Sequence, residues 1–174
     1  MKMKKLNLGC GRYVRKGYVN LDSVKLPGVD VVYNLDKYPW PFEDNSFSFV
    51  YCRHLLEHLE SIVKPMEEIW RITSPGGKIS LEVPNFPSVG AVADPTHKQF
   101  YTYLTFNYFR PEDSLNYYSK ARFKIIERKI VFSRLTPFFT WFFNSSEKMQ
   151  KVYVFFFSFL IPSEVLQVKL EVIK

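Results

Sequence analysis

Three small groups of residues carry the chemistry open to this chain. The first is Gly9-Cys10-Gly11 with Asp22. The apolar run Leu6-Asn7-Leu8 breaks at once into the glycines, and a second run, Tyr18-Val19-Asn20-Leu21, ends on the acid. Glycine lets backbone approach a ligand closely, because it has no Cβ and tolerates positive φ. A carboxylate at the tip of the second strand of an open α/β sheet can grip the two hydroxyls of a ribose. Each part also has an ordinary explanation, a tight turn for the glycines and a turn or helix cap for Asp22. Their pairing at two strand ends favours a nucleotide-type cofactor.

The second group is His54-Leu55-Leu56-Glu57-His58, the H-x-x-E-H pattern of one class of zinc peptidase. On a helix both histidines would share a face. Zinc hydrolysis would further need another acidic ligand and an open position for water. The motif directly follows the apolar run Phe47–Cys52, so His54 is expected to line a pocket and Glu57 to brace a helix start. No metal is expected on His54 and His58. The third group is Asp94-Pro95-Thr96-His97, beyond the run Lys78–Val83. Histidine titrates near neutrality and suits a proton acceptor, so His97, with Asp94 beside it, is the candidate base. The competing reading has His97 bonding a loop carbonyl.

The elements that must position these groups follow from periodicity and turn residues. Strands are expected at Lys4–Leu8, Tyr18–Leu21, Gly28–Asn34, Phe47–Cys52, Lys78–Val83, Phe123–Phe132 and Val165–Ile173. Between Gly11 and Asp22 there is room for at most a turn or so of helix. Leu55–Thr73 repeats its apolar residues at three- and four-residue spacing and is expected to be helical, with Pro65 starting a new helix. Pro75-Gly76-Gly77 is expected to be a tight turn. Residues 85–111 read as loop, and Asp94–Phe109 is expected to form a lid. Strands alternating with a helix imply an α/β fold with a doubly wound sheet.

Composition sets the outer bounds. The chain has 174 residues, is 47% hydrophobic and 18% aromatic, and carries a net charge of +7. That predicts one domain over 1–174 with a sizeable core and allows anionic partners. Cys10 and Cys52 fit no disulfide framework or zinc knuckle, so a reducing, cytoplasmic setting is expected. The basic start, Met1 to Lys5, is followed by no apolar run and is not read as a secretory signal.

The segments LNLGCG, GYVNLD, NLDKYPWPFEDNSFSFVYCRHLLEHL, EEIWRITSPGGKISLEVPNF and DPTHKQFYTY together resemble the class I S-adenosylmethionine-dependent methyltransferases, in particular the small type 11-like subgroup with a shortened first helix. The resemblance covers Lys4 to about Phe106 and continues more weakly to the final strand. It implies a Rossmann-like, mostly parallel sheet with an antiparallel last strand and a truncated first crossover, while the aromatic stretch over about 135–161 is itself read as a C-terminal helical insertion packing over the sheet or over a dimer mate. It implies S-adenosyl-L-methionine as cofactor, with Gly9, Cys10 and Gly11 beneath its methionine part and Asp22 on its ribose. Leu35 and its neighbours would read the adenine. Asn34 stands where the family often has an acid, and Asp36 lies two residues on. Arg53 and His54 would line the sulfonium end.

The methyl acceptor is expected to be a small molecule bearing oxygen or nitrogen, sugars and lipid-linked compounds included, with RNA disfavoured. Arg122, Lys124, Arg128 and Lys129 are read as a solvated strand face. The aromatic stretch is interrupted by Asn144–Lys148, so it is not expected to span a membrane. Peripheral membrane contact and a homodimer stay open, and the second function considered is a non-catalytic cofactor-binding subunit.

Overall fold

The computed structural model describes residues 4–174. The first three residues of the basic start lie outside them. Seven strands form one sheet: β1 (Lys4–Leu8), β2 (Val19–Asp22), β3 (Val31–Val32), β4 (Phe47–Arg53), β5 (Thr73–Pro84), β6 (Arg122–Val131) and β7 (Val165–Ile173). Their spatial order is β3-β2-β1-β4-β5-β7-β6. β1 pairs in parallel with β2 and with β4, and β4 with β5. β7 is antiparallel to both of its neighbours. The order winds outward in two directions from the β1–β4 junction, where open α/β sheets bind ligands.

The winding is double, but only one face of the sheet is thoroughly buried. Leu6, Leu8, Val50, Cys52, Ile79, Leu81, Val83 and the even residues Leu166–Val172 of β7 face the core. The opposite face carries the ion pairs Arg53–Glu82, Lys78–Glu171 and Lys169–Glu127. The reason is the short chain between β1 and β2. It makes only turns, so no first-crossover helix exists to cover that side. The apolar run Phe47–Cys52 has Ser48, Phe49 and Tyr51 half-exposed for the same cause.

Three expectations are corrected. The third strand shrinks to Val31–Val32. The apolar repeat over 55–73 is not one helix: Leu56–His58 form a 3-10 turn, and the α-helix proper, α1, runs Val63–Ile72. Ser61 Oγ accepts from the Val63 N–H at 3.2 Å, fixing where the chain re-enters helix. Pro75-Gly76-Gly77 does not end the helix in a free turn. It bulges out of β5, where Phe47 faces Thr73 but Phe49 faces Lys78.

The lid expected over Asp94–Phe109 is also revised. Tyr101, Tyr103, Phe106 and Phe109 are core residues, each no more than 3% exposed. Burying four aromatic rings anchors that half of the segment, where Leu104 alone is exposed, and the rest of the exposed part is residues 92–96, 98 and 100. The aromatic insertion folds as α3 (Pro137–Phe143) and α4 (Glu147–Val152), the latter continuing as a wider π-turn over Tyr153–Phe157. Phe143 and Tyr153 enter the core, while Phe138, Trp141, Phe155, Phe156 and Phe159 are exposed. Among the described residues no helix is long and apolar enough to cross a membrane.

Candidate functional site

The carboxyl ends of β1 and β2 are tied together through backbone. Gly9 and Gly11 have φ of +61° and +48°, and a Cβ on Gly9 would lie 2.8 Å from Leu55 Cδ1. The Gly11 N–H donates to Asp22 Oδ2 at 2.7 Å, and the Val24 N–H to Asp22 Oδ1 at 3.0 Å. Cys10 N–H donates to the Leu21 carbonyl at 3.0 Å. The Cys10 thiol is buried, and burial, with Asp22 beside it, pushes its pKa up. It is therefore protonated and unreactive here, and Cys10 contributes its backbone.

Two asparagines that the sequence reading passed over hold the short crossover. Asn7 Nδ2 donates to Asn20 Oδ1 at 2.9 Å and to the Tyr13 carbonyl at 3.0 Å. Asn20 Oδ1 also takes the Arg15 N–H at 2.8 Å. Their signal was present: a polar residue central in each of two apolar strands, L-N-L and V-N-L.

Beside β2, Leu35 is 4% exposed, and its carbonyl accepts from Trp40 Nε1 at 3.1 Å. Asn34 is exposed, with its amide oxygen accepting the Asp36 N–H at 2.9 Å. Asp36 Oδ1 in turn accepts the Glu60 N–H at 2.9 Å. The Trp40 N–H donates to Glu68 Oε2 at 2.6 Å, and Arg71 grips the same carboxylate. Thus α1 anchors the segment that the resemblance assigns to the adenine.

At the end of β4 the two candidates diverge. Arg53 pairs with Glu82 Oε1 at 2.7 Å on the polar face. His54 has φ +47°, in the left-handed region that non-glycine residues seldom occupy. Its Nδ1 meets Glu57 Oε1 at 3.1 Å and its Nε2 meets Glu82 Oε1 at 3.4 Å. The Glu57 hydrogen bond first, then that of Glu82, pushes His54 up to about 9, while Glu82 is drawn down to about 2, first by His54. His54 is an imidazolium at neutral pH. The helical H-x-x-E-H geometry is not formed, since His54 precedes the 3-10 turn and both its nitrogens are engaged.

A cavity of about 680 Å³ opens past β4 and β5, lined by His54, His58, Ser88, Asp94, His97 and Glu164 among others. The loop carrying His97 is strapped down by Lys98 and Gln99, whose N–H groups donate to the Glu57 carbonyl at 2.7 and 3.1 Å. His97 Nδ1 lies 3.0 Å from the Ala91 carbonyl, so the loop-carbonyl reading of His97 is met in the geometry. Thr96 donates to Asp94 Oδ1 at 2.6 Å and meets His58 Nδ1 at 2.9 Å. The rings of His58 and His97 stand 4.8 Å apart. Thus the second and third sequence groups meet in one place, through Thr96 and His58, which were not expected to matter. On the basic strand face Lys124 and Lys129 are exposed as expected, and only the two arginines depart from the reading. Arg128 is half-buried over the Tyr103 ring and bonds Asn107, and Arg122 holds the Asn116 and Ser119 carbonyls.

Residues 14–81 match the family described as a methyltransferase domain. An S-adenosylmethionine-dependent methyltransferase from Archaeoglobus fulgidus superposes with a TM-score of 0.65 at 16% identity, over 97% of this chain and 86% of that one. One from Mesorhizobium loti gives 0.58 at 14% identity, over 97% and 90%. The [4+2]-cyclase SpnF gives 0.60 at 15% identity, over 97% and 74%. At these identities the likeness is one of fold. No curated protein matches in sequence.

The strand ends suit S-adenosylmethionine. Glycine at position 9 is required because a Cβ there would collide with Leu55, and each Asp22 oxygen accepts one backbone N–H while keeping a lone pair for a ribose hydroxyl. Residues 14–81 match a methyltransferase domain, and the fold and the strand-end chemistry agree with that match.

Proposed function

We propose that the chain methylates an oxygen or nitrogen atom of a small, hydroxyl-rich acceptor held in the cavity between His58, Asp94, His97 and Glu164. The observation that carries this reading is adjacency. Leu55 packs against Gly9, and the neighbouring His54, Glu57 and His58 line the cavity. The bound cofactor would supply a methyl group already activated on its sulfonium. The chain's own task is then alignment and disposal of a proton. His97 donates through Nδ1, leaving Nε2 toward the cavity, and Asp94 orients His58 through Thr96. Imidazoles, carboxylates and a serine suit a sugar-like acceptor better than an apolar one.

On the cofactor side, Gly9, Cys10 and Gly11 would offer close backbone, Asp22 the ribose contacts, and Leu35 an apolar wall for adenine. Asn34 and Asp36 flank that wall, and each already has one oxygen holding a backbone N–H. An imidazolium repels a sulfonium and His54 is committed to Glu57 and Glu82, so Arg53, which lines a cleft with Gly9 and Cys10, is better suited to the carboxylate of the methionine part.

Calorimetry with S-adenosylhomocysteine tests the placement. Hydrogen bonds to a charged group are worth about 1.5–3 kcal/mol, so Asp22→Ala should weaken binding at least about tenfold. Asp22→Asn, which keeps an acceptor for the Gly11 N–H, separates loop support from ribose binding. Unchanged affinity in Asp22→Ala, with native melting, would move the ribose site elsewhere.

A further inference from the structure

We propose that Glu57, His58 and His97 bind a divalent first-row transition cation at the wall of the acceptor cavity. One ligand atom from each lies within 4.8 Å of the others. A shared ion at about 2.0–2.2 Å from each ligand would hold them up to about 4.4 Å apart, so small rotamer shifts suffice. The set is completed by His97, from a different loop, and not by His54 of the sequence motif.

The hydrogen bonds leave three acceptors facing one another. His97 Nδ1, 3.0 Å from the Ala91 carbonyl, must be the protonated nitrogen, which leaves the Nε2 lone pair free. The Thr96 hydroxyl proton goes to Asp94 Oδ1 at 2.6 Å, so Thr96 Oγ1 accepts from His58 Nδ1 at 2.9 Å, and His58 Nε2 is likewise a lone pair. Glu57 is 1% exposed, and its Oε2 is buried without a hydrogen-bond partner, an arrangement that costs free energy unless something positive meets it. Its other oxygen is held by His54 at 3.1 Å.

Metal-binding histidines characteristically donate their second N–H to a carbonyl or carboxylate, as His97 does to Ala91 and His58 does through Thr96 to Asp94. Two imidazoles and one carboxylate suit zinc, iron or cobalt rather than calcium or magnesium. The next nearest carboxylate, Asp94 Oδ2, is 3.9 Å from His97 Nε2 and 45% exposed in its side chain, leaving room for a further ligand. Three protein ligands leave positions open toward the cavity for an acceptor oxygen. That last role rests on the acceptor reading above. Bound cation occupies the His97 lone pair, so it takes over the proton-acidifying task from His97 as a base.

The test uses tag-free full-length protein stripped with chelator. Calorimetric titration with zinc, and absorption spectroscopy with cobalt(II), should show one ion per chain with the spectrum of a nitrogen- and oxygen-ligated site. Glu57→Gln and His97→Ala should each weaken zinc at least tenfold. Glu57→Gln preserves shape and guards against a folding artefact in His97→Ala, and melting of each metal-free variant is compared with that of the parent. Absence of zinc binding, or binding equally tight in both variants, overturns the proposal. S-adenosylhomocysteine titrated into the same stripped protein separates the two readings: binding there without zinc binding removes the cation alone, and failure of both removes the cofactor placement too.

Discussion

The two halves of the site are built differently. At the ends of β1 and β2 the groups that matter are backbone: positive-φ glycines, the Gly11 N–H on Asp22, and the Cys10 N–H on Leu21. Their partners lie within a few residues or on the adjacent strand. Past β4 and β5 the cavity wall is side chains from separate stretches, brought together only because Lys98 and Gln99 pin one loop to the Glu57 carbonyl. A site made of local backbone is nearly complete once two neighbouring strands pair. A site made of distant side chains exists only when the aromatic packing that routes the loop is also in place.

The sharpest test of that difference perturbs each half alone. Phe143 is 4% exposed and stacks among Phe132, Phe139 and Tyr153. Phe143→Ala should cost about 3–5 kcal/mol, read as a lower denaturation midpoint, while S-adenosylhomocysteine affinity of the folded protein stays within about twofold. A matching loss of cofactor affinity would mean that the halves are one cooperative unit. Gly9→Ala is the converse. Left-handed backbone costs a non-glycine residue about 1–2 kcal/mol, and the new Cβ would meet Leu55 at 2.8 Å. Stability should drop by roughly 2–3 kcal/mol, and cofactor binding should fall below detection.

The same contrast explains what could be read in advance. β1 and β7 were legible to the residue, because glycines bound one and strict alternation runs through the other. The tight turn at Gly9 and Gly11 beside Asp22 was legible because its geometry is local. The helix over 55–73 was overextended because Leu56 and Leu59 are as buried as the residues of α1. Apolar spacing records burial, and a 3-10 turn followed by a bend buries leucines as well as a helix does. The meeting of His58 with His97 had no local signal at all. It depends on Tyr101 and Phe106 entering the core, and on the Phe86 N–H bonding the Tyr101 carbonyl at 2.7 Å. Arg122 and Arg128 looked solvated for the same reason, since their loop partners are set by chain path.

A smaller effect should appear with pH in the cofactor half. Burial raises the Glu68 pKa, but the hydrogen bonds from Arg71 and the Trp40 N–H outweigh it, and the net shift is downward. A carboxyl whose folded pKa lies below its unfolded value of about 4.3 stabilises the fold above that pH. The contribution disappears as pH falls through the folded value. Melting temperature should therefore decline on acidification below about pH 4.5, and Glu68→Gln should lower it at neutral pH and flatten the acid slope. An equally steep slope in the variant would assign the acid sensitivity to other carboxylates.

The smallest expected effect concerns Trp141, and it reports on what touches the aromatic insertion. Trp141 lies in α3 with Phe143, two residues away, yet it is 70% exposed against 4% for Phe143. Its ring contacts Phe138, itself 60% exposed, at a centroid distance of 5.9 Å. In an isolated chain, Trp141→Ala removes little buried area, and surface substitutions of this kind stay within about 0.5 kcal/mol. Thermal unfolding of dilute protein should therefore shift by no more than about 2 °C. The measurement is repeated across a range of protein concentrations. A larger drop that grows with concentration would mean that Trp141 is covered by a second copy of the chain. A small, concentration-independent shift leaves the outer ring of aromatics solvent-facing, and restricts the structural role of the insertion to its inner residues, Phe143 and Tyr153.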